Sequence, residues 1–387
     1  MKLLYVASDQ RVPGRTGGSV HVDEVARGLA ARGHEVHVLA LAGERRANGA
    51  VRPYELHPSR LPFEHRFFRW SAKRAVGELV DRLRIEAVME RYYNFGGEGI
   101  RAAHARGIPS LLEVNSPLKD HPGSLKSLLD RALLLRPLKR VRDEICRKTS
   151  ALVTPLPAIV PEEVPLAKVH RVQWGANVER FRPDVAKRRL AIPEKRKVVV
   201  FSGSFRPWHG ADVLVRAAAR ILTLQPEAFF LFLGSGPTWE ETRALAVKLG
   251  IAGDVLFTGG VAYEEMPAYL RAAQIGVAPY QPSRLGQMKL GFYWSPLKIF
   301  EYMAMALPVV SLDVPPLAEI VRPGREGLLF AERDEESFSA AVSELLADPA
   351  RAQAMGEAGR DRVVAHFSWQ RHCEELETIL EGLVKAR

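Results

Sequence analysis

Leu3-Leu4-Tyr5-Val6-Ala7, then Gly14-Arg15-Thr16-Gly17-Gly18-Ser19, then Val22, Val25, Ala26, Leu29 and Ala30, then Gly33 and Glu35–Leu41: the reading of this opening stretch decides the fold. The apolar run has the length of a buried strand, and it meets polar residues too early for a signal peptide. A glycine-rich loop follows. The next apolar positions recur with the helical period and mark one face of a helix, which Gly33 closes before a second apolar run begins. Strand, loop, helix, strand is the unit of a parallel sheet wrapped by helices.

The unit repeats. Ala87–Glu90, Pro109–Val114, Ala151–Thr154 and Val169–Gln173 are further strand candidates. From Phe181 to Lys197 the chain becomes polar, charged and proline-containing, as a linker would be. The cycle restarts at Val198–Phe201 and continues through Phe229–Leu233, Val255–Phe257, Ile275–Ala278 and Pro308–Leu312, and a last helix follows Trp369. A chain of 387 residues exceeds one ordinary core. The reading is therefore α/β with two facing, Rossmann-like, doubly wound domains. Residues 1–182 form one domain, 183–366 the other, and 367–387 a helix returning to the first. Ligands are expected at strand C-terminal ends facing the cleft.

Cys146 and Cys373 have no metal-ligand spacing, which points to a reducing, cytoplasmic setting. No run approaches the roughly 20 apolar residues of a membrane span. Of the formal net charge of +10, residues 60–84 (seven Lys/Arg against three Asp/Glu) and 119–148 (nine against four) carry +9. Both stretches interleave these charges with apolar residues, among them Phe63, Phe67, Phe68 and Trp70 in one and Leu128, Leu129, Leu133, Leu134, Leu135 and Leu138 in the other. Such segments suit an anionic membrane surface or an acidic acceptor, or else pack as ordinary solvated helices. No nucleic-acid motif accompanies the charge.

Loops after strands offer the chemistry. Gly17 and Gly18 let backbone N–H groups and a helix N-terminus approach an anion, although a plain βα turn reads the same way. Gly203, Ser204, Arg206 and His209 set a cation and an imidazole beside glycine. Gly234 lies in another such loop, and Gly260 and Val261 could grip a flat base. Ser295-Pro296 reads as a helix cap and first position, so Lys298 and Glu301 fall three apart on one face of an otherwise apolar helix. There a lysine can neutralise phosphate, and a carboxylate one turn on can accept both ribose hydroxyls. His21, Arg91 and Glu113 are the candidates in the first domain; His21 reads equally as a packing residue.

With these residues in view, the chain resembles the family 4 retaining glycosyltransferases of the GT-B fold. The resemblance rests on the order and spacing of Gly17-Gly18, Gly33-His34-Glu35-Val36, Trp174–Pro183, Gly234-Ser235-Gly236-Pro237, Ser295–Ala304 and Gly324–Leu329. It implies that Glu301 binds the donor ribose, that the Gly17-Gly18 and Gly203–Gly210 loops cradle the diphosphate, and that Glu319 lies near the same cleft. It implies a UDP- or GDP-sugar donor with no metal or other cofactor. It also implies a donor held by residues 183–366 and, on the side of residues 1–182 with His21, Arg91 and Glu113, a hydroxyl acceptor that is lipid-linked, polysaccharide or small. The basic stretches of that half favour an acceptor at the inner face of the membrane. The chain departs from the pattern where Tyr293 replaces the partner of Glu301, where Ser204 and His209 replace the usual Arg and Lys, and where Asn115 stands in the place of a histidine. Arg206 and Lys298 are then the expected cations at the leaving diphosphate, with Asn115 a hydrogen-bonding group for a sugar hydroxyl. An epimerase of the same fold and a catalytically idle binder are the alternatives. A nicotinamide enzyme fits worst, since no G-x-G-x-x-G follows either first strand.

Overall fold

The computed structural model describes residues 1–14, 16–43, 53–59, 68–93, 96–119 and 136–386. The chain divides into two compact units. One holds Met1–Trp174, Tyr293–Ser295 and Trp369–Arg387; the other holds Gly175–Phe292 and Pro296–Ser368.

In the first unit, β1 (Lys2–Val12), β2 (Glu35–Ala42), β3 (Glu55–Ser59), β4 (Ala87–Arg91), β5 (Ser110–Glu113), β6 (Ala151–Thr154) and β7 (Val169–Arg171) form one sheet. All its pairings are parallel, in the order β3-β2-β1-β4-β5-β6-β7. The chain reverses direction of winding between β1 and β4, so the doubly wound rule puts ligands at the C-terminal ends of those strands. The helices are α1 (Gly17–Ala31), α2 (Phe68–Leu83), α3 (Glu98–Arg106) and α4 (Arg136–Lys148). Leu4, Val6, Leu39 and Val88 of the sheet pack against Val76, Leu79 and Val80 of α2 and Ala102 and Ala103 of α3. Gly33, at φ 88°, ends α1 as the sequence predicts, with its N–H bonded to Ala30 and that of His34 to Leu29. β3 is absent from the sequence reading: Glu55, His57 and Pro58 hide the strand signal, and pairing with β2 supplies what propensity does not.

In the second unit, β8 (Lys197–Ser202), β9 (Ala228–Leu233), β10 (Val255–Phe257), β11 (Ile275–Ala278), β12 (Val309–Leu312) and β13 (Gly327–Phe330) pair in parallel in the order β10-β9-β8-β11-β12-β13. The switch point here lies between β8 and β11. The helices are α5 (Ala211–Leu224), α6 (Trp239–Lys248), α7 (Met266–Leu270), α8 (Leu297–Ala304), α9 (Pro315–Ile320), α10 (Glu335–Ala347) and α11 (Pro349–His366). Phe181, at the start of the polar stretch read as a linker, is fully buried in this unit with its ring 5.4 Å from Tyr263.

The last helix, α12 (Trp369–Lys385), belongs to the first unit, where the Cys373 thiol lies 3.7 Å from the Val25 carbonyl and Arg32 and His34 pair with Glu377. No described helix is long and apolar enough to cross a membrane.

Candidate active site

At the switch point of the second sheet, β8 runs into Gly203 (φ 142°). Its N–H bonds the Leu233 carbonyl at 2.9 Å, and the Gly234 N–H bonds the Gly259 carbonyl at 2.9 Å. Gly234 sits at φ 121° with the Gly203 carbonyl where a Cβ would stand, so the loops after β8, β9 and β10 stack through glycine backbone alone. Gly260 is exposed and Val261 half-buried beyond them.

Into this loop cluster comes Lys298, the second residue of α8. A Cβ at Gly203 would lie 2.9 Å from its Nζ and 3.4 Å from His209 Nδ1, and Ser204 Oγ lies 3.2 Å from that same Nδ1. Three polar side chains thus converge on one glycine. The Lys298 ammonium is buried over the rings of Phe201 (4.0 Å) and Tyr280 (5.1 Å) and has no hydrogen-bond partner among the described residues. Burial pulls its pKa down to about 7 against the opposing attraction of Glu301. Burial, with the Lys298 and Arg206 charges, also holds His209 well below the usual histidine range, so its imidazole is neutral at pH 7. Glu301 is buried one turn further along α8. An exposed surface ion pair, the plain reading of that i,i+3 spacing, is therefore not what α8 carries. Arg206 is exposed with its guanidinium 5.4 Å from the Trp208 ring.

One expectation is corrected here. Pro296, not Ser295, occupies the cap of α8, and no side chain caps it. Ser295 lies in the first unit, where its hydroxyl accepts the Trp174 N–H at 3.1 Å and donates to Gln173 at 3.3 Å. Tyr293 is buried in the same unit, its ring 5.6 Å from Trp294. Glu319 is exposed in the last turn of α9, its carbonyl accepting from Arg362 at 2.7 Å.

At the switch point of the first sheet stands a second polar cluster. Glu113, closing β5, is buried and paired with His21 of α1, and the Tyr5 hydroxyl donates to its other oxygen at 2.5 Å. Burial would raise this carboxyl, but His21, Arg91 and Tyr5 together hold it well below the usual carboxylate range. His21 Nε2 stands in direct contact with Glu113, and burial lowers its pKa against the opposing attraction of that carboxylate. Arg91, closing β4, lies 3.8 Å from Asp9 and 5.7 Å from the Trp174 ring. His21 stacks on Trp174 at 4.1 Å, with the rings of Trp369 and His372 at 5.3 and 5.4 Å. The structure thus brings His21, Arg91 and Glu113 together. Both side-chain polar atoms of Asn115, just past β5, are buried and without hydrogen bonds among the described residues. Gly17 and Gly18 open α1, whose cap Thr16 accepts the Ser19 N–H at 3.2 Å.

Tyr5, Asp9, Trp369 and His372 escaped the sequence reading. Tyr5 is hidden in a strand that looks wholly apolar, and the last two come from the far end of the chain. Tyr280, beneath Lys298, escaped likewise; its place just after a strand is the signal that could have found it.

Residues 15–161 match the family model described as Glycosyltransferase Family 4, and residues 196–348 match the model described as Glycosyl transferases group 1. The chain belongs to the family 4 glycosyltransferases. It is 34% identical over 228 residues to the GDP-mannose-dependent alpha-(1-6)-phosphatidylinositol monomannoside mannosyltransferase of Mycobacterium tuberculosis (strain H37Rv); that match spans 58% of this chain and 58% of the relative. It is 29% identical to the D-inositol 3-phosphate glycosyltransferase of Thermobispora bispora over 93% of this chain and 89% of the relative. Among solved structures, sucrose-phosphate synthase from Thermosynechococcus elongatus superposes with a TM-score of 0.76 at 20% identity, covering 100% of both chains. A glycosyltransferase from Rickettsia africae gives 0.75 at 14%, covering 100% of this chain and 99% of that one. This family 4 chain thus has the GT-B fold.

Proposed function

We propose that this chain transfers a sugar from a nucleoside-diphosphate sugar to an acceptor hydroxyl, with retention of anomeric configuration. The observation that carries the reading is Lys298 Nζ, a buried, unpartnered cation set with His209 and Ser204 around Gly203 at a sheet switch point. Its charge is costly until an anion arrives, and a diphosphate supplies that anion. As the sugar leaves, negative charge grows on the diphosphate. Lys298 and the N–H groups of the glycine loops then stabilise it without reorganising, the arrangement that lowers such barriers most. Neutral His209 can donate one further hydrogen bond. Glu301 takes the ribose, Gly260 and Val261 the base, and no metal is needed because Lys298 and exposed Arg206 supply the cationic charge.

We assign the acceptor to the first unit, at His21, Arg91, Glu113 and Asn115. Its chemistry is a hydroxyl on an anionic molecule. This is supported by the concentration of the net charge in this half of the chain and by two relatives whose names carry inositol phosphates. Incubation with GDP-mannose and UDP-glucose, each with inositol phosphate acceptors, tests the reading. The product's anomeric configuration, read by NMR, is expected to match the donor's, and inversion, or hydrolysis alone, would overturn it.

We also propose contact with an anionic membrane surface through residues 60–84 and 119–148. Residues 60–67 and 120–135, with Phe63, Phe67, Leu128, Leu129, Leu133, Leu134 and Leu135, lie outside the described residues. In α4, Lys139 and Arg140 are exposed, while Arg142 is buried and Lys148 pairs with Glu144 at 2.7 Å. Flotation with vesicles containing anionic lipid is expected, and it should fall off with added salt; equal recovery on neutral vesicles would remove the proposal.

A further inference from the structure

β2 and β3 place His37, Glu55 and His57 on one side of the first sheet, at the edge away from the strand ends that carry Glu113 and Arg91. His37 and Glu55 are register partners, and His57 stands one pair further along the same face. His37 Nδ1 lies 3.2 Å from His57 Nε2 and 3.2 Å from Glu55 Oε2, and His57 Nε2 lies 3.6 Å from Glu55 Oε1. Tetrahedral ligands about 2.0–2.1 Å from a zinc ion stand about 3.3 Å from one another. The observed triangle has that size.

The hydrogen bonding points the same way. The other ring nitrogen of His37, Nε2, lies 3.1 Å from Glu35 Oε1. A carboxylate only accepts, so Nε2 donates its proton to Glu35, and in the neutral ring Nδ1 keeps a lone pair directed at the cluster. A carboxylate behind a histidine in this manner is the usual outer partner of a metal ligand. Glu35 is itself held by Lys2 at 3.1 Å. With both rings neutral, one proton on His57 Nε2 satisfies one neighbour, and His37 Nδ1 and the Glu55 carboxylate face each other as two acceptors. One divalent cation satisfies all three. His37 is buried, which fixes the site, whereas the Glu55 side chain is 60% exposed, which gives an ion its entry and a fourth position for water.

We infer that His37, His57 and Glu55 bind one zinc ion, which clips the edge strand β3 to β2. The site is structural and stands apart from the transfer chemistry. The test uses the full chain without a histidine tag, stripped with EDTA, desalted, and titrated with Zn2+ against a chromophoric chelator. One equivalent is expected to bind and to raise the unfolding midpoint. His57→Asn should weaken binding at least tenfold, and Glu35→Gln, which removes only the outer carboxylate's charge, should weaken it about tenfold. Glu55→Gln is the check on folding, because this exposed residue can change without disturbing the core, and it too should lose affinity. Uptake well below one equivalent, or uptake that is the same in wild type, His57→Asn and Glu55→Gln, would overturn the assignment.

Discussion

Lys298→Met is expected to slow transfer severely while making the unliganded protein more stable. The ammonium is buried on two aromatic rings without a hydrogen bond, and burial has pulled its pKa from the usual lysine range to about 7. Between that value and its value in the unfolded chain, the unfolded state holds the extra proton. Stability therefore rises with pH across this window, and at pH 7 the folded protein bears the strain of a desolvated cation. Methionine keeps the length and removes the charge, which should add on the order of a few kcal/mol. The same change removes the cation that meets the diphosphate. Turnover should fall about 100- to 1,000-fold, in the range seen when one electrostatic donor is removed from a reacting site. Calorimetric unfolding and initial rates on the same preparation check both halves. A variant that is both less stable and still active would contradict the assignment.

Glu113→Ala is expected to act in the opposite sense, on stability first. Glu113 receives the Tyr5 hydroxyl and His21, with the Arg91 charge nearby, in a fully buried setting. Removing it takes away one of the two carboxylates that face Arg91, leaving Asp9 at 3.8 Å, and leaves the Tyr5 and His21 donors unsatisfied. Breaking a buried charged network from one side costs about 3–5 kcal/mol. For a domain of this size that corresponds to a fall in midpoint of about 10 °C. Glu113→Gln, which keeps an acceptor, should lose less. Because the folded-state pKa of Glu113 is depressed, its contribution is present above the unfolded carboxylate value and is lost on acidification through the folded value. The wild-type advantage over Glu113→Gln should therefore shrink toward pH 3. An advantage that does not change with pH would show that the charge is not what holds the cluster.

The sheet was legible because its strands are buried on both faces and so read as unbroken apolar runs. Leu3–Ala7, Val198–Phe201 and Phe229–Leu233 needed no tertiary information. β3 was not legible, since Glu55 and His57 occupy the face that the edge leaves partly open. Lys298 and Glu301 were legible because charge inside the apolar segment Ile299–Ala304 has no cheap structural explanation. The cap of α8 shifted by one residue because the Ser295 hydroxyl is engaged by Trp174 instead, a partner 121 residues away that no local pattern encodes. Tyr5, Trp369 and His372 around His21 show the same limit: a polar tip inside a strand and a helix from the far terminus become neighbours only through the fold.

The measurement that bears most directly on the central claim is calorimetric titration of wild type and Lys298→Met with GDP and UDP, in EDTA, at pH 7 and pH 8.5. A bound diphosphate raises the lysine pKa, so binding above pH 7 must take up a proton. Wild-type affinity for one nucleotide should therefore fall roughly tenfold per pH unit above the pKa of the free protein, with proton uptake seen as a buffer-dependent heat. The variant should bind at least 100-fold more weakly, with no such pH dependence. Tight binding by Lys298→Met, or a wild-type affinity indifferent to pH, would mean that the diphosphate is held somewhere else.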